Sequence, residues 1–503
     1  MVLVCRKALE VHSLLLILAL FGFDQHRAQA QESLLPKAEQ EIWRRIEPPQ
    51  PLLMELRTQY VADLERIELE DRRLTKAVAE DWKELQEDLL KNLNDKHFVF
   101  GTPINTLLDS IVAVLHAADP SYGKPPRVLL SWYPWPNASC RGEGTIVVDL
   151  GLLERLHSRS ELAFVLAHEM AHQRLDHVGK SIEQYNRQLL SDDFRSEVRS
   201  ALRAEFNRRA ALEQLFVQFT VGERRHGRMH ESEADSMALM LIDRTGFQPE
   251  AGLSLMDVLE SCDNEVDTTL IDPKWAFGID GVDTTAFREH KDQMSSLGAL
   301  DLKDRTLADS LKTHPDCANR KAALLELMAG EVQPSVASVE PAYVAYQAQA
   351  STSLIESAFI ERDLGRAIYL GLQLLRSRAD TLFLHAQLAR GYAELYRASK
   401  QHEFGHAVAN PAQYYSSSYN GFLQVLHQLR QSEYMALSQY HQRLSKLDGF
   451  EREDTLLAAA ILALANKAPV ELEEARAAYI RSFPAGRHIT RVEKFTLIGP
   501  GKR

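Results

Sequence analysis

Residues 168–172 read His-Glu-Met-Ala-His inside a stretch whose apolar spacing predicts a helix, and no other feature of the 503 residues restricts the fold as much. Two histidines four apart differ by only ~40° around a helix of 3.6 residues per turn, so both imidazoles can reach one cation. Glu169 lies beside them, where its carboxylate can take a proton from water held by that cation. Two imidazoles do not complete a site, so the fold has to deliver a further donor from elsewhere in the chain.

The position six residues past the second histidine is Val178, which excludes the metzincin arrangement of three histidines. His177 lies ~140° around the helix from His172, which suits a supporting or surface contact better than ligation. Further on, residues 231–235 read Glu-Ser-Glu-Ala-Asp at the start of an amphipathic segment. Glu231 and Asp235 share a helix face, whereas Glu233 points ~160° from Glu231. One of these two carboxylates can therefore bind the metal while the other orients a ligand imidazole. Two imidazoles, one carboxylate and an open position form a catalytic zinc set, so one Zn2+ per chain is expected at His168, His172 and one of these carboxylates. Zinc lowers the pKa of a bound water to about 7, Glu169 accepts the proton, and a peptide carbonyl is attacked.

The surrounding text is mostly helical. A short and a long helix are expected between Ala38 and Leu93, broken only at Glu47–Pro51, then a helix from Ile104 to Ala118 that stops before Asp119-Pro120. Arg127–Trp132 and Gly144–Leu150 read as strands joined by an irregular connection, and the second could bind an extended peptide by strand addition or be an ordinary packed strand. Ser158 and Glu161 form a capping-box pattern ahead of the motif helix, whose buried stripe is Leu162, Val165 and Leu166. Ser181–Arg224 reads as a charged helical insertion, and a helix over Glu231–Arg244 follows. Asp263–Asp304 is irregular, as either a mobile lid or a long loop. Beyond Pro334, helices are expected at 342–360, 364–376, 381–399, 421–447 and 451–466. Small residues recurring on their faces suit tetratricopeptide-type pairs or a plain bundle.

A formal charge of −12, with no lysine or arginine block to offset it, argues against a nucleic-acid partner, because phosphate binding needs a concentrated cationic face. Residues 1–30 read as an export signal: Arg6 and Lys7, an apolar run from Leu14 to Phe23, then Ala28-Gln29-Ala30. An uncleaved anchor is the alternative, though the run is short of the ~20 residues that span a bilayer, and no later segment is long enough. Cys140, Cys262 and Cys317 then remain, as one disulfide with a free thiol or as three separate thiols.

His168–His172 with Glu161-Leu162-Ala163 before it and Glu231–Asp235 after it resembles the gluzincin metallopeptidases of the HtpX, BepA and CAAX-prenyl-endopeptidase type. The likeness runs from about Pro103 to Met328 and takes in Asn137-Ala138 and Thr313-His314-Pro315 with Arg320. It implies Glu231 as third zinc ligand and His314 as a catalytic-site histidine that either occupies the fourth position, holding the enzyme latent, or steadies the transition state. The implied fold class is α+β, mostly helical, with a small β-sheet in a metallopeptidase domain over 96–330. A helical segment at 31–95 precedes it and an all-α tetratricopeptide-like domain over 331–503 follows. The likeness to soluble BepA-type members implies a periplasmic zinc metalloendopeptidase, soluble or peripheral at the outer membrane. Its substrates would be misfolded or unassembled envelope proteins. Its C-terminal helices would meet outer-membrane assembly machinery. A scaffold or chaperone with a structural or blocked zinc is the alternative.

Overall fold

The computed structural model describes residues 45–203, 227–263, 271–283, 317–328, 340–377, 381–412 and 415–496. The export-signal reading and His314 lie outside these residues. Contacts divide the chain into two compact units, one within Trp43–Asp263 and Leu302–Tyr343, the other within Asn264–Asp301 and Val344–Arg503.

The first unit opens with α1 (Gln50–Glu65) and α2 (Arg72–Asn94). The proline cluster leads into α1, with Pro51 in the first turn, where no backbone N–H is needed, and the short helix expected before it falls largely outside the described residues. The expected long helix is two, broken at 66–71, where Asp71 caps α2 by accepting the Arg73 N–H at 2.7 Å. β1 (Phe98–Val99), α3 (Pro103–Ala118), β2 (Arg127–Ser131), β3 (Ala138–Arg141) and β4 (Thr145–Asp149) follow, then α4 (Leu150–Arg155), α5 (Arg159–Arg174), α6 (His177–Leu190) and α7 (Asp192–Arg203). After them come α8 (227–242) and α9 (Ala251–Asp263).

The sheet has strand order β1-β2-β4-β3, with β2 and β4 parallel and both outer strands antiparallel to their neighbours. β4 is therefore internal and wholly buried, so it cannot accept a substrate strand as the sequence reading allowed. The edge next to it is β3, Ala-Ser-Cys-Arg, which lies in the connection read as irregular and is too short and mixed to show an alternating pattern. Leu129 and Val147 meet Leu53, Leu56, Leu89 and Leu93 of α1 and α2 on one face. α3 contacts β2, and α5 contacts β3 and β4. Burial of β2 and β4 by helices explains their continuous apolar runs.

α5 is the buried centre of this unit. Ser158 caps it, accepting the Glu161 N–H at 3.1 Å, while Glu161 accepts the His157 N–H and, at 2.6 Å, the Ser254 hydroxyl of α9. Burial alone would raise the Glu161 pKa, but these bonds hold it below its ordinary value. Every residue from Glu161 to Ala171 is buried, a wider surface than the expected stripe, because neighbours close on several sides. At Gly252 of α9 a Cβ would come within 2.5 Å of the Phe164 ring, so glycine permits that approach. Cys140, Cys262 and Cys317 are not joined to one another by a disulfide.

The second unit begins with α10 (Pro273–Phe277), which falls in the segment read as a lid or loop. Ala276 and Phe277 belong to this unit's apolar core, with the Phe277 ring 6.1 Å from that of Phe422. α11 (Cys317–Leu327) returns to the first unit, and α12 (Pro341–Ile360) leads into the remaining helices. These are α13 (Leu364–Ser377), α14 (Leu382–Lys400), α15 (Phe404–Ala407), α16 (Ser417–Gln428), α17 (Gln431–Leu444), α18 (Glu453–Ala465), α19 (Pro469–Ser482) and α20 (Ile489–Glu493). The single helix expected over 421–447 is two, α16 and α17. Glu433 accepts the Arg430 N–H at the new N-terminus, a break with no glycine or proline to announce it. α14 is central, packed on α13, α17 and α18. Gly391 lets it approach α13, since a Cβ there would lie 2.7 Å from Ile368. No helix among the described residues is long and apolar enough to cross a membrane.

Candidate metal centre

α5 and α8 converge on one point. His168 and His172 turn their Nε2 atoms to within 3.0 Å of each other, and Glu231 reaches both with its carboxylate oxygens at 3.4 Å. Four-coordinate zinc with bonds of ~2.0–2.1 Å spaces its ligand atoms ~3.3 Å apart. The three separations fit that figure, so the residues present fit a zinc ion. α8 begins at least one turn before Glu231, earlier than the sequence reading placed it. Glu231 is thus an interior helix residue and not one of the acids that collect at helix N-termini.

A second layer holds these groups. His168 Nδ1 lies 2.9 Å from Asp235 Oδ1. Arg320 of α11 grips Asp235 with two bonds, 2.7 and 2.8 Å, and lies 2.9 Å from Glu231 Oε2. His172 Nδ1 lies 3.0 Å from His177 Nδ1, and His177 Nε2 lies 3.2 Å from Glu233 Oε2. The sequence reading gave Arg320 no role and turned Glu233 away from the site. Both belong to it through contacts between helices far apart in the chain, which helical periodicity does not register.

The electrostatics ask for a cation. Burial would raise the pKa of Glu231, yet His168, His172 and Arg320 hold it well below the carboxylate range. Asp235 is likewise held down against burial, by Arg320 and His168. Burial opposes charge on His168, but Asp235 and Glu231 outweigh it and raise that histidine to about 10. Two carboxylates against one guanidinium leave a negative excess that a proton or a metal ion at the imidazoles would satisfy.

Glu169 is buried on α5, which packs on β3. Burial, and then the Glu169 charge, push the Cys140 thiol of β3 upward. The general-base candidate therefore lies near Cys140 of β3.

The second unit holds another set at ligand distance, Glu356, Asp454 and His488, all buried. Here Arg390 lies 2.7 Å from Glu356 and 3.0 Å from Asp454, and Arg487 lies 2.8 and 2.5 Å from the same two. Burial opposes ionisation of both acids, but the two guanidinium groups hold their pKa values down.

A helical motif with paired imidazoles, a carboxylate from a second helix and an adjacent buried glutamate defines a metal-dependent hydrolase type of centre. Residues 105–328 match the family model described as Peptidase family M48, a family of zinc metallopeptidases. The matched segment contains every residue of this centre described above. No curated protein matches the chain.

Proposed function

We propose that the protein is an exported zinc metalloendopeptidase that cleaves misfolded or unassembled envelope proteins. The observation that carries the peptidase reading is the convergence of His168, His172 and Glu231 with Glu169 next to them in the chain. Zinc held there would supply Lewis-acid chemistry, acidifying water towards neutral pKa and stabilising negative charge on an attacked carbonyl. Asp235 and Arg320 fix His168 and Glu231 in place. The Glu169 carboxylate takes the proton of the attacking water and passes it to the leaving amine. β3 is paired with β4 on one side and with no strand on the other among the described residues, so an extended chain can add there beside Glu169. That geometry suits unfolded segments, which expose their backbone.

Export to the periplasm rests on the signal-like residues 1–30, and docking to outer-membrane assembly proteins rests on the helical second unit. His314 is proposed as a removable fourth ligand that keeps the enzyme latent.

One experiment compares wild type, Glu169→Gln and His314→Ala for zinc content and casein cleavage. The expected result is one zinc in each, a loss of about 10^2–10^4-fold in rate for Glu169→Gln, and a faster rate for His314→Ala. Absence of zinc from wild type, or equal cleavage by Glu169→Gln, would overturn the peptidase reading. An unchanged or lower rate in His314→Ala would overturn the latch alone.

A further inference from the structure

Each imidazole of the centre has its own support, and the two supports differ. His168 leans on Asp235, a buried carboxylate locked by Arg320. Among the described residues, the neighbour of His172 Nδ1 is not a carboxylate but a third imidazole, His177, at 3.0 Å. The backbone explains how a residue on the wrong side of the motif helix arrives there. α5 ends at Arg174, and Asp176 adopts the left-handed conformation, φ 53° and ψ 45°. The chain reverses at that point, and His177, first residue of α6, folds back over His172, 3% exposed.

His177 also meets α8 on both sides of Glu231. Its ring stacks on His230, centroids 4.0 Å apart and planes 10° from parallel, and its Nε2 lies 3.2 Å from Glu233 Oε2. The residues just before and two after Glu231 are thus both held by the side chain that touches His172.

We infer that His177 is a positioning residue for the metal centre: it fixes the ring of His172 and the helix register of Glu231 together, through a Glu233–His177–His172 chain. This rests on the zinc reading above. With Nε2 of His172 turned to the metal point, its proton lies on Nδ1 and is donated to His177 Nδ1. His177 then carries its own proton on Nε2 and donates it to Glu233. Supports of this kind normally end on a carboxylate or carbonyl directly, and losing one typically costs 10–100-fold in metal affinity. Here the carboxylate acts one imidazole further away. Glu233 is 55% exposed in its side chain, so it can be removed with little cost to folding.

The test is zinc affinity of the full chain by chelator competition, with the visible spectrum of the Co2+-loaded protein, for wild type, His177→Ala, His177→Asn and Glu233→Ala. We expect a fall of about 10–100-fold for His177→Ala, and a smaller fall for Glu233→Ala. In His177→Asn the amide oxygen still accepts the His172 N–H, so affinity partly recovers. The Co2+ spectrum shifts in His177→Ala. Should His177→Ala not fold, Glu233→Ala and His177→Asn decide the matter. Wild-type affinity in Glu233→Ala, or no recovery in His177→Asn where His177→Ala is weakened, overturns the inference and leaves the zinc reading standing. A wild type that binds no zinc overturns both.

Discussion

Among the described residues, two groups of histidine and acid lie at ligand spacing, one in each unit, and that spacing does not tell them apart. His168, His172 and Glu231 can hold a metal by distance, and so can Glu356, Asp454 and His488. The difference is the charge already present. In the first unit the ion pairs of Glu231 and Asp235 with a guanidinium are, among the described residues, those with Arg320. In the second, Glu356 and Asp454 are bridged by two, Arg390 and Arg487, in a closed alternation of sign. Buried carboxylates need a countercharge, and whether it is a guanidinium or an ion decides whether the group is a strut or a site. Asp149, at the end of β4, shows an intermediate case, in which Arg141 acts through its charge but does not outweigh burial. Its partner is the Ser131 hydroxyl, and burial pushes its pKa up to about 7.

The largest expected effect breaks the second group. Arg390→Ala leaves Glu356 and Asp454 under-compensated in a dry interior and should cost the second unit about 3–5 kcal/mol, read by hydrogen exchange at peptides of α14 and α18. Zinc should stay at one per chain. An unchanged exchange rate would show that the alternation of charge does not hold the unit together.

Asp149 comes next. Its folded pKa is raised above the unfolded value, so its contribution is fully present below about pH 4 and is lost as pH rises to about 7. Asp149→Asn, which does not ionise, should match wild type near pH 4. Near pH 7–8 it should be more stable by roughly 2–4 kcal/mol, measured by denaturant titration at each pH. A difference that stays flat between those limits contradicts the account of a carboxylate whose burial outweighs its partners.

The smallest effect sharpens the first group. Asp235→Asn keeps the shape but removes one negative charge and the ion pair with Arg320, and zinc affinity should fall about 10–100-fold. A fall confined to catalytic rate, with affinity intact, would move Asp235 from holding the centre to the reaction itself.

Much of the centre was legible because helical periodicity is local. The four-residue spacing of His168 and His172, and of Glu231 and Asp235, sets a shared face in any α-helix, whatever surrounds it. The capping residue Ser158 was legible for the same reason. The split of 421–447 was not, because the break depends on the Glu433 carboxylate reaching the Arg430 amide and carries no glycine or proline. β3 was missed because four mixed residues become a strand only when β4 pairs with them. Lid or loop was likewise undecidable for 271–283 until Phe277 found Phe422.

By itself, then, the chain's order of residues determined which side chains share a helix face and which chemistry those side chains can perform. Tertiary structure decided which faces meet: Arg320 against Asp235, His177 between His172 and Glu233, β4 inside the sheet and β3 at its rim. Local geometry follows from backbone sterics over a few residues. Pairing between distant helices follows from burial and charge compensation summed over the whole core, and no short stretch of sequence contains that sum.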